Sequence, residues 1–385
     1  MDFQQLLSQD IEKIPHSESF EEFEAEYKCL QVIGEGGFGK VRSAIQLSDQ
    51  RDVAIKFVSD KKITSWYYCQ NQQKYIPMEI SLMCRCREVA GVIKIIKYFQ
   101  IKEHKGWYII MERFERFVDL FDYITNQNHL KEKLAVDFMA QLMTIVKDCH
   151  RLGVCHRDIK DENIVINLDT MKIYLIDFGA GGFFHGGIYK DFDGTRVYSP
   201  PEWIQFKEYK VSSLEVWSLG ILLYDMVCGN LPFDNDESIV NGIFHYRRPV
   251  TPSCQDLIQK CLQYDPCKRI NMTEIIHHPW FTQYSHMNTI ERVKRNPHLP
   301  CQLSSNLHNL SPASTTTSED NSRRISLETS PFTTPQSSGL EDSDFINDNI
   351  QDSISSAPHQ YLPSNKHNNP HNLHYNLSLT NFNQA

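Results

Sequence analysis

Hydrophobic and polar positions follow different periods in the two halves of the central region. In the first half, short runs rich in β-branched and aromatic residues predict strands at Tyr27–Gly34, Lys40–Gln46, Val53–Val58, Ile93–Gln100 and Trp107–Met111. A helix is predicted among them, near Pro77–Arg87, because proline suits the first helical position. We therefore expect a small antiparallel sheet with one main helix.

The second half is patterned for helices. Leu134, Phe138 and Leu142 recur every four residues, which predicts a helix with one buried face. The segment Leu214–Cys228 is apolar almost all round and is expected to be a buried central helix. The pattern as a whole predicts an α+β fold with two lobes, a sheet lobe over about 27–112 and a mostly helical lobe over about 117–283. A ligand cleft is expected between two such lobes.

Composition sets the two ends of the chain apart. Residues 1–26 are polar and acidic and are expected to form an N-terminal extension. Residues 284–385 are rich in Ser, Thr, Asn, Gln, His and Pro. Such a tract cannot bury enough apolar surface to offset its ordering entropy, so we expect a low-complexity, disordered tail.

The overall composition excludes several classes of partner. A net charge of −9 argues against nucleic acid or anionic membrane as the main partner. The eleven cysteines show no paired C-x-x-C spacing, which favours free thiols in a reducing compartment over zinc sites. There is no signal-peptide pattern and no apolar run close to the about 20 residues that span a bilayer. We expect an intracellular monomer, in the cytoplasm, with the nucleus as an alternative.

A glycine-rich segment and a lysine suggest phosphate binding. Gly34-Glu35-Gly36-Gly37-Phe38-Gly39 lies between two predicted strands, and its glycines would let backbone N–H groups approach phosphates. The same pattern opening a helix would indicate a dinucleotide fold, whereas a strand follows here. Lys56 on the next strand can hold the α- and β-phosphates, with Glu79 as its carboxylate partner. Taken alone, each of these features also fits a glycine-rich hairpin or an exposed strand lysine.

Most of the candidate catalytic and metal-binding residues lie in two segments, His156–Asn163 and Asp177-Phe178-Gly179. Asp158 can orient a substrate hydroxyl and accept its proton, and Lys160 can neutralise a transferring phosphoryl group. Asn163 and Asp177 supply oxygen ligands for Mg²⁺. The transition state of phosphoryl transfer is loose, so positioning and charge neutralisation carry most of the catalysis. The alternative, a polar turn between strands, is disfavoured by the joint spacing of both segments.

These motifs occur in the order of the protein-kinase signature set. The glycine loop, Lys56, Glu79, Asp158, Asn163, Asp177, then Glu202 of a Pro-Pro-Glu element and Arg269, resemble that family over about 27–283. Three longer strings, Gly153–Asn163, Asp191–Trp203 and Trp217–Gly229, resemble the Pim kinases. The resemblance implies a bilobal protein-kinase fold and a serine/threonine kinase that uses ATP and Mg²⁺, with Mn²⁺ as a substitute. It also implies arginine-rich protein substrates and constitutive activity.

The resemblance assigns roles to further residues. It makes Thr195 catalytic beside Asp158, Lys160 and Lys56. The nucleotide contacts that it implies are Ile33, Gly34, Glu35, Gly36, Gly37, Phe38, Gly39, Val41, Ala54, Lys56, Glu79, Glu112, Phe114, Asp119 and Val165. The acids that would bind substrate arginines are Asp119, Asp122, Glu162, Asp234, Asp236 and Glu237, although each alone also fits a solvated face. Asp119 is an alternative ligand for the ribose hydroxyls.

Several residues give this chain its own character. No serine or threonine lies between Asp177 and Thr195, so we expect Asp191, with Asp193 as the alternative, to pair with Arg157 in place of a phosphate. Phe114 stands where Pim kinases carry proline, and it restores a backbone N–H that could donate to adenine. Glu202 and Arg269 are expected to form a buried ion pair. Glu215, where many kinases have Asp, is expected to have little consequence.

Two other function classes were weighed against a serine/threonine kinase. A pseudokinase scaffold, which binds nucleotide without turnover, would be favoured by loss of Lys56, Asp158 or Asp177, and all three are present. Tyrosine specificity is disfavoured by Lys160 and Thr195. In the tail, Ser326 after two arginines is a candidate autophosphorylation site, and Ser311, Ser330 and Thr334 precede prolines.

Overall fold

The computed structural model describes residues 3–36 and 39–284, and in them a small sheet lobe leads into a larger helical lobe, as the two-lobe α+β prediction requires. The strands are β1 (His16–Ser17), β2 (Tyr27–Gly36), β3 (Gly39–Gln46), β4 (Arg51–Ser59), β5 (Trp66–Cys69), β6 (Lys74–Pro77), β7 (Ile95–Ile101), β8 (Gly106–Glu112), β9 (Phe117–Asp119), β10 (Val154–Cys155), β11 (Ile164–Asn167), β12 (Lys172–Leu175) and β13 (Gly182–Phe183). The helices are α1 (Phe3–Glu12), α2 (Phe20–Glu26), α3 (Met78–Arg85), α4 (Leu120–Gln127), α5 (Glu132–Arg151), α6 (Pro201–Phe206), α7 (Val211–Cys228), α8 (Asp236–Asn241), α9 (Pro252–Cys261) and α10 (Met272–Ile276). The predictions for Gly37, Phe38 and the tail, Ser326 included, concern residues outside the described ones.

The main sheet places Lys56 at the centre of the small lobe. Its order is β1-β7-β8-β4-β3-β2, and the pairs from β7 to β2 are antiparallel. Strand β4 pairs with both β3 and β8, so Lys56 lies opposite Val41 on one side and Ile109 on the other. The β2–β3 hairpin carries the glycine-rich segment, with Gly36 paired to Gly39. The predicted strands and the predicted helix α3 are therefore present.

The expectation of a polar extension at residues 1–26 needs correction. Leu7, Ile11 and Ile14 are fully buried, and α1 packs against α3. Strand β1 adds a parallel edge to β7, and Ser19 caps α2 by accepting a hydrogen bond from the Glu22 N–H. The segment reads as polar because its exposed faces are polar, while its apolar positions recur at helical spacing.

A second hairpin, β5–β6, was also not predicted. Trp66–Cys69 pairs with Lys74–Pro77, and Pro77 leads directly into α3. Inward residues such as Tyr67 and Cys69 are buried, while Tyr68 and Tyr75 face outward. The hairpin therefore fixes where α3 begins.

The large lobe is organised around α5 and α7. Helix α5 buries the predicted stripe, including Phe138, Leu142 and Ile145. Helix α7 is apolar and long enough to cross a bilayer by length and composition, but 89% of it is buried inside the protein, as in the core helix of a globular lobe. The small sheet β12-β11-β9 and the strand β10 support the loop His156–Asn163 between them.

Two buried ion pairs tie the large lobe together. Arg269 donates from Nη1 and Nη2 to the two carboxylate oxygens of Glu202 at 2.8 and 2.9 Å, as predicted. Removing one partner of such a pair typically costs about 3–5 kcal/mol, because the other charge is left buried. Glu215 was expected to matter little, yet it is 1% exposed and its Oε2 lies 2.6 Å from Nε2 of His150. Although burial alone would lower the pKa of His150, Glu215 raises it.

Candidate active site

Lys56 links the two lobes through two carboxylates. Its Nζ donates to Glu79 Oε1 on α3 at 2.6 Å and to Asp177 Oδ1 at 2.9 Å. Lys56 and Glu79 are both buried, and Asp177 stands in the left-handed region with φ 61°. Strand β4, helix α3 and the Asp177 segment therefore meet at one ammonium group.

The electrostatics favour the charged forms of Lys56 and Asp177. Burial alone would raise the pKa of Asp177, but the Lys56 ammonium and the Gly179 N–H outweigh it and hold that pKa below its usual value. Burial alone would likewise lower the pKa of Lys56, yet Glu79 and Asp177 raise it. Burial raises the pKa of Glu79 in spite of the neighbouring Lys56 ammonium, and the charge of Asp177 adds to that rise.

The same residues fit a magnesium ion. The side-chain nitrogen of Asn163 donates to the carbonyl and to Oδ2 of Asp158, at 2.8 and 2.9 Å, which leaves its side-chain oxygen as the atom available to a cation. Asp177 adds an ionised carboxylate. In the described part of the chain no cluster of three or more His, Cys, Asp or Glu side chains could hold a metal alone. Mg²⁺ is commonly bound by one or two protein ligands together with substrate phosphates, and Asn163 and Asp177 fit that pattern.

Asp158 is held in place by its neighbours. Its Oδ1 accepts from the Thr195 N–H at 2.7 Å, and its Oδ2 accepts from Asn163. Lys160 Nζ lies 3.8 Å from Oδ2 and also pairs with Glu162. Next to it, His156 Nε2 lies 2.8 Å from the Ile176 carbonyl and its ring packs edge-on against Phe178. The carboxylate thus has a fixed direction, with a lysine beside it.

The predicted partner of Arg157 is observed. Arg157 Nη1 donates to Asp191 Oδ2 at 2.7 Å, while its Nε and Nη2 donate to the carbonyls of Ala180 and Gly181. The guanidinium is buried, whereas the side chain of Asp191 is 66% exposed. The alternative partner, Asp193, instead accepts from Thr64 at 3.3 Å. Arg157 is therefore paired with a carboxylate of the chain itself, without any covalent modification.

The only hydroxyl-bearing residue between Asp177 and Thr195 in the sequence, Tyr189, already makes two hydrogen bonds through its hydroxyl group. Tyr189 is 6% exposed, and its hydroxyl donates to the Phe183 carbonyl at 2.7 Å and accepts from the His185 N–H at 2.9 Å. Its ring stacks on Tyr209, which donates to the Asp191 carbonyl. Phosphorylation of Tyr189 would require this packing to open.

The predicted adenine contacts surround the connection between the lobes. Val41 and Ala54 lie on neighbouring strands of the main sheet, and Val165 pairs directly with Asp119. Phe114 packs its ring 4.3 Å from that of Tyr174, and its N–H has no hydrogen-bond partner among the described residues. Ile33, Gly34, Gly36, Gly39 and Glu112 lie in β2, β3 and β8; the side chain of Glu35 is not among those described.

The predicted peptide-binding acids have different surroundings. Asp119 caps α4 by accepting from the Asp122 N–H at 2.7 Å, and Glu162 pairs with Lys160. Asp234 and Glu237 are exposed beside the first turn of α8. Both oxygens of Asp236 accept hydrogen bonds from Arg196 of this chain.

One acidic residue escaped the sequence reasoning. Asp225, on α7, lines a cavity of about 210 Å³ together with Asp161, Glu162, Thr195 and Phe121. Burial, and then the neighbouring Asp161, raise the pKa of Asp225 to about 7. An acidic residue in a mostly apolar helix was the available signal, but no short motif marks Asp225.

Comparisons with known proteins agree with this geometry. A model described as the protein kinase domain matches residues 27–281. The chain is 40% identical over 272 residues to serine/threonine-protein kinase pim-2 of Danio rerio, covering 69% of this chain and 87% of that protein. It is also 40% identical over 271 residues to serine/threonine-protein kinase prk-2 of Caenorhabditis elegans, covering 69% and 60%. Serine/threonine-protein kinase SIK1 of Mus musculus is 34% identical over 261 residues, covering 66% and 32%.

A prediction about pH follows from Asp225. Its folded-state carboxyl holds a proton up to a pKa of about 7, whereas the unfolded one releases it near 3.8, so stability falls as the pH rises through that window. Asp225→Asn removes this dependence. In thermal unfolding, Asp225→Asn should raise the melting temperature above that of the unaltered chain. This increase should be near zero at pH 4, should grow with pH, and should reach about 4 °C or more at pH 8.

The exposed Asp122 offers the control for this measurement. Asp122→Asn should leave the pH dependence of the melting temperature as it is in the unaltered chain. A gain for Asp225→Asn that is the same at pH 4 and pH 8 would show that Asp225 does not titrate in this range.

Proposed function

The chain belongs to the Pim family of protein kinases, and we propose that it phosphorylates serine and threonine in arginine-rich proteins without prior phosphorylation of its own activation loop. That it is a serine/threonine-protein kinase follows from its family, and ATP, Mg²⁺ and a protein substrate belong to that activity in general. The observation that carries the proposal is the joint placement of Lys56, Glu79, Asp177 and Asp158.

The geometry supports a direct transfer from nucleotide to hydroxyl. Asp158, fixed by Thr195 and Asn163, can receive the proton of a substrate hydroxyl. The hydroxyl oxygen then bonds to the γ-phosphorus while the bond from that phosphorus to the β,γ-bridging oxygen breaks, and ADP leaves. Lys160 lies beside Asp158 and can neutralise charge on the transferring group. Lys56 would hold the α- and β-phosphates, oriented by Glu79. Mg²⁺ bound by Asp177 and Asn163 would neutralise charge on the β- and γ-phosphates, with Mn²⁺ as a substitute.

The scaffold alternative finds no support at this site. A scaffold without turnover would tolerate a missing or misplaced Lys56, Asp158 or Asp177. Here all three are present, and Lys56 bridges to Asp177 at 2.9 Å. We therefore favour turnover.

Loss of the proposed base tests the activity itself. Purified protein should transfer the γ-phosphoryl group to a serine peptide, and Asp158→Asn should lower kcat by about 10²- to 10⁴-fold because the hydroxyl loses its proton acceptor. Radiolabel transfer measures kcat, and nucleotide binding by calorimetry shows that the variant still binds ATP. Turnover that is undiminished in Asp158→Asn would contradict the assignment.

Activity without phosphorylation rests on Arg157 and Asp191. In many kinases a phosphate supplies the negative charge that orders this loop. Here Asp191 supplies a carboxylate at 2.7 Å, and the buried hydroxyl of Tyr189 is already hydrogen-bonded. These contacts support a loop that is ordered from the start.

Two neighbouring aspartates make a matched pair of variants. Asp191→Ala leaves the buried Arg157 without its charged partner and should lower kcat/KM by about tenfold or more, the equivalent of a charged hydrogen bond. Asp193→Ala removes a carboxylate that contacts only Thr64 in the described structure and should change kcat/KM less than about twofold. Protein verified as unphosphorylated by mass spectrometry is used throughout. Equal effects of the two variants, or an unaltered chain that is inactive until an upstream kinase is added, would reject the mechanism.

Arginine preference is supported by the number of acidic residues around the cavity. Glu162, Asp161 and Asp225 line one cavity, and Asp119 and Asp122 lie at the start of α4 nearby in the same lobe. A guanidinium binds carboxylates through two parallel hydrogen bonds, which favours arginine over lysine. Because Asp236 is already paired with Arg196, a substrate arginine would have to displace that contact.

Charge reversal on α8 tests this preference. The double variant Asp234→Lys/Asp236→Lys should raise KM for a peptide with several arginines before its serine by about tenfold or more, while KM for ATP changes little. The exposed Glu88→Lys/Glu103→Lys pair in the small lobe makes the same change in net charge and serves as the control. If the α8 variant raises KM to the same degree for a peptide without arginine, Asp234 and Asp236 do not recognise arginine.

Adenine recognition is the remaining proposal. The Phe114 N–H can donate to adenine while the Glu112 carbonyl accepts from it, giving two backbone hydrogen bonds in place of the one that proline allows. A nucleotide-bound structure in which the Phe114 N–H points away from the base would reject this.

A further inference from the structure

Residues before the matched kinase domain pack on the helix that carries Glu79. Leu7 and Ile11 of α1 are 0% exposed, and α1 packs against α3 and β5. Helix α3 has only eight residues, and those from Glu79 to Cys84 are all buried. A helix this short is marginal without tertiary support, so its position depends on what covers it.

The contacts fix α3 at its C-terminal end. Arg85, the last residue of α3, donates from Nη1 to Asp10 Oδ2 of α1 at 2.6 Å and from Nε to the Leu152 carbonyl of the large lobe at 3.1 Å. The side chains of Asp10 and Arg85 are only 15% and 14% exposed. Arg85 therefore joins α3 both to α1 and to the end of α5.

Further contacts fix the start of α3 and the neighbouring large lobe. Tyr67, in the hairpin that leads into α3, donates to the Gln4 carbonyl at 2.8 Å and lies 2.9 Å from the Ser8 hydroxyl. Phe3 packs edge-on against Phe183 at 5.2 Å, and a Cβ on Gly153 would lie 2.6 Å from the Phe3 ring. Helix α1 thus contacts the hairpin, α3 and the strand that follows the Asp177 segment.

We propose that α1 is an intramolecular positioning element, which holds α3 where Glu79 reaches Lys56. Leu7, Asp10 and Ile11 act through α3 and not on the substrate, so they are positioning residues. Any contact that α1 makes with the docked α3 and loses when α3 moves away shifts the equilibrium toward the docked state. The inference rests on the proposed function for its kinetic readout, whereas the position of α3 can be measured without any turnover.

The test places a charge on each face of α1 in the full chain. Ile11→Asp puts a carboxylate at a buried position and should detach α1, while Gln9→Asp makes a like change on the exposed face. Hydrogen exchange without nucleotide should rise about tenfold in residues 78–85 for Ile11→Asp and stay unchanged in α7, residues 211–228. In peptide assays, kcat/KM for ATP should fall about tenfold, with KM for the peptide unchanged. Gln9→Asp and the conservative Ile11→Leu should behave as the unaltered chain does.

A milder pair covers the case in which Ile11→Asp does not fold. Asp10→Asn weakens the contact with Arg85 and should raise exchange in residues 78–85 by about threefold, whereas Lys13→Ala, which removes only the exposed partner of Asp10, should not. The proposal is overturned if folded Ile11→Asp or Asp10→Asn leaves hydrogen exchange in α3 unchanged. It is also overturned if exchange in α7 rises as much as exchange in α3, because that would be a general loss of stability. A wild-type chain that labels no peptide would sink the proposed function, yet it would leave the exchange result intact.

Discussion

The whole active centre depends on one buried ammonium group. Lys56 has been removed from water, and so has Glu79, so neither charge is tolerable without the other. Their contact forces β4 and α3 together, and the second contact, to Asp177, brings in the large lobe. The rest of the architecture holds β4, α3 and the Asp177 segment so that Lys56 Nζ lies within 3 Å of a carboxylate oxygen of both Glu79 and Asp177.

Local chemistry made much of this site accessible from the sequence. The roles proposed for Asp158, Asn163 and Asp177 depend on short spacings in one stretch of chain, and the structure brings these side chains together. The pairs Arg157–Asp191 and Glu202–Arg269 join residues 34 and 67 positions apart. The first was predicted because the chain has no serine or threonine between Asp177 and Thr195, and the second from the Pro-Pro-Glu element and the position of Arg269. The lobes themselves follow from a change in hydrophobic period.

What escaped prediction depends on packing at long range. Asp225 lies on the mostly apolar helix α7, which also carries Glu215, and only the fold reveals that Asp225 lies beside Asp161 in the lining of one cavity. The contact between Asp236 and Arg196, 40 residues away, was not predicted. The N-terminal segment was taken for a polar extension, because its few apolar positions are outnumbered by polar ones on the outer faces of α1 and α2. In each case the deciding neighbour lies far away in the chain.

The covalent attachment of α1 has a consequence for competition. A segment tethered to its own docking surface acts at an effective concentration on the order of millimolar, whatever the concentration of the protein in solution. A separate helix seeking the surface of α3 that Leu7 and Ile11 cover would need a comparable free concentration, or a much greater affinity, to displace it. Dilution does not release α1, so a separate helix in solution would rarely bind to this surface of α3.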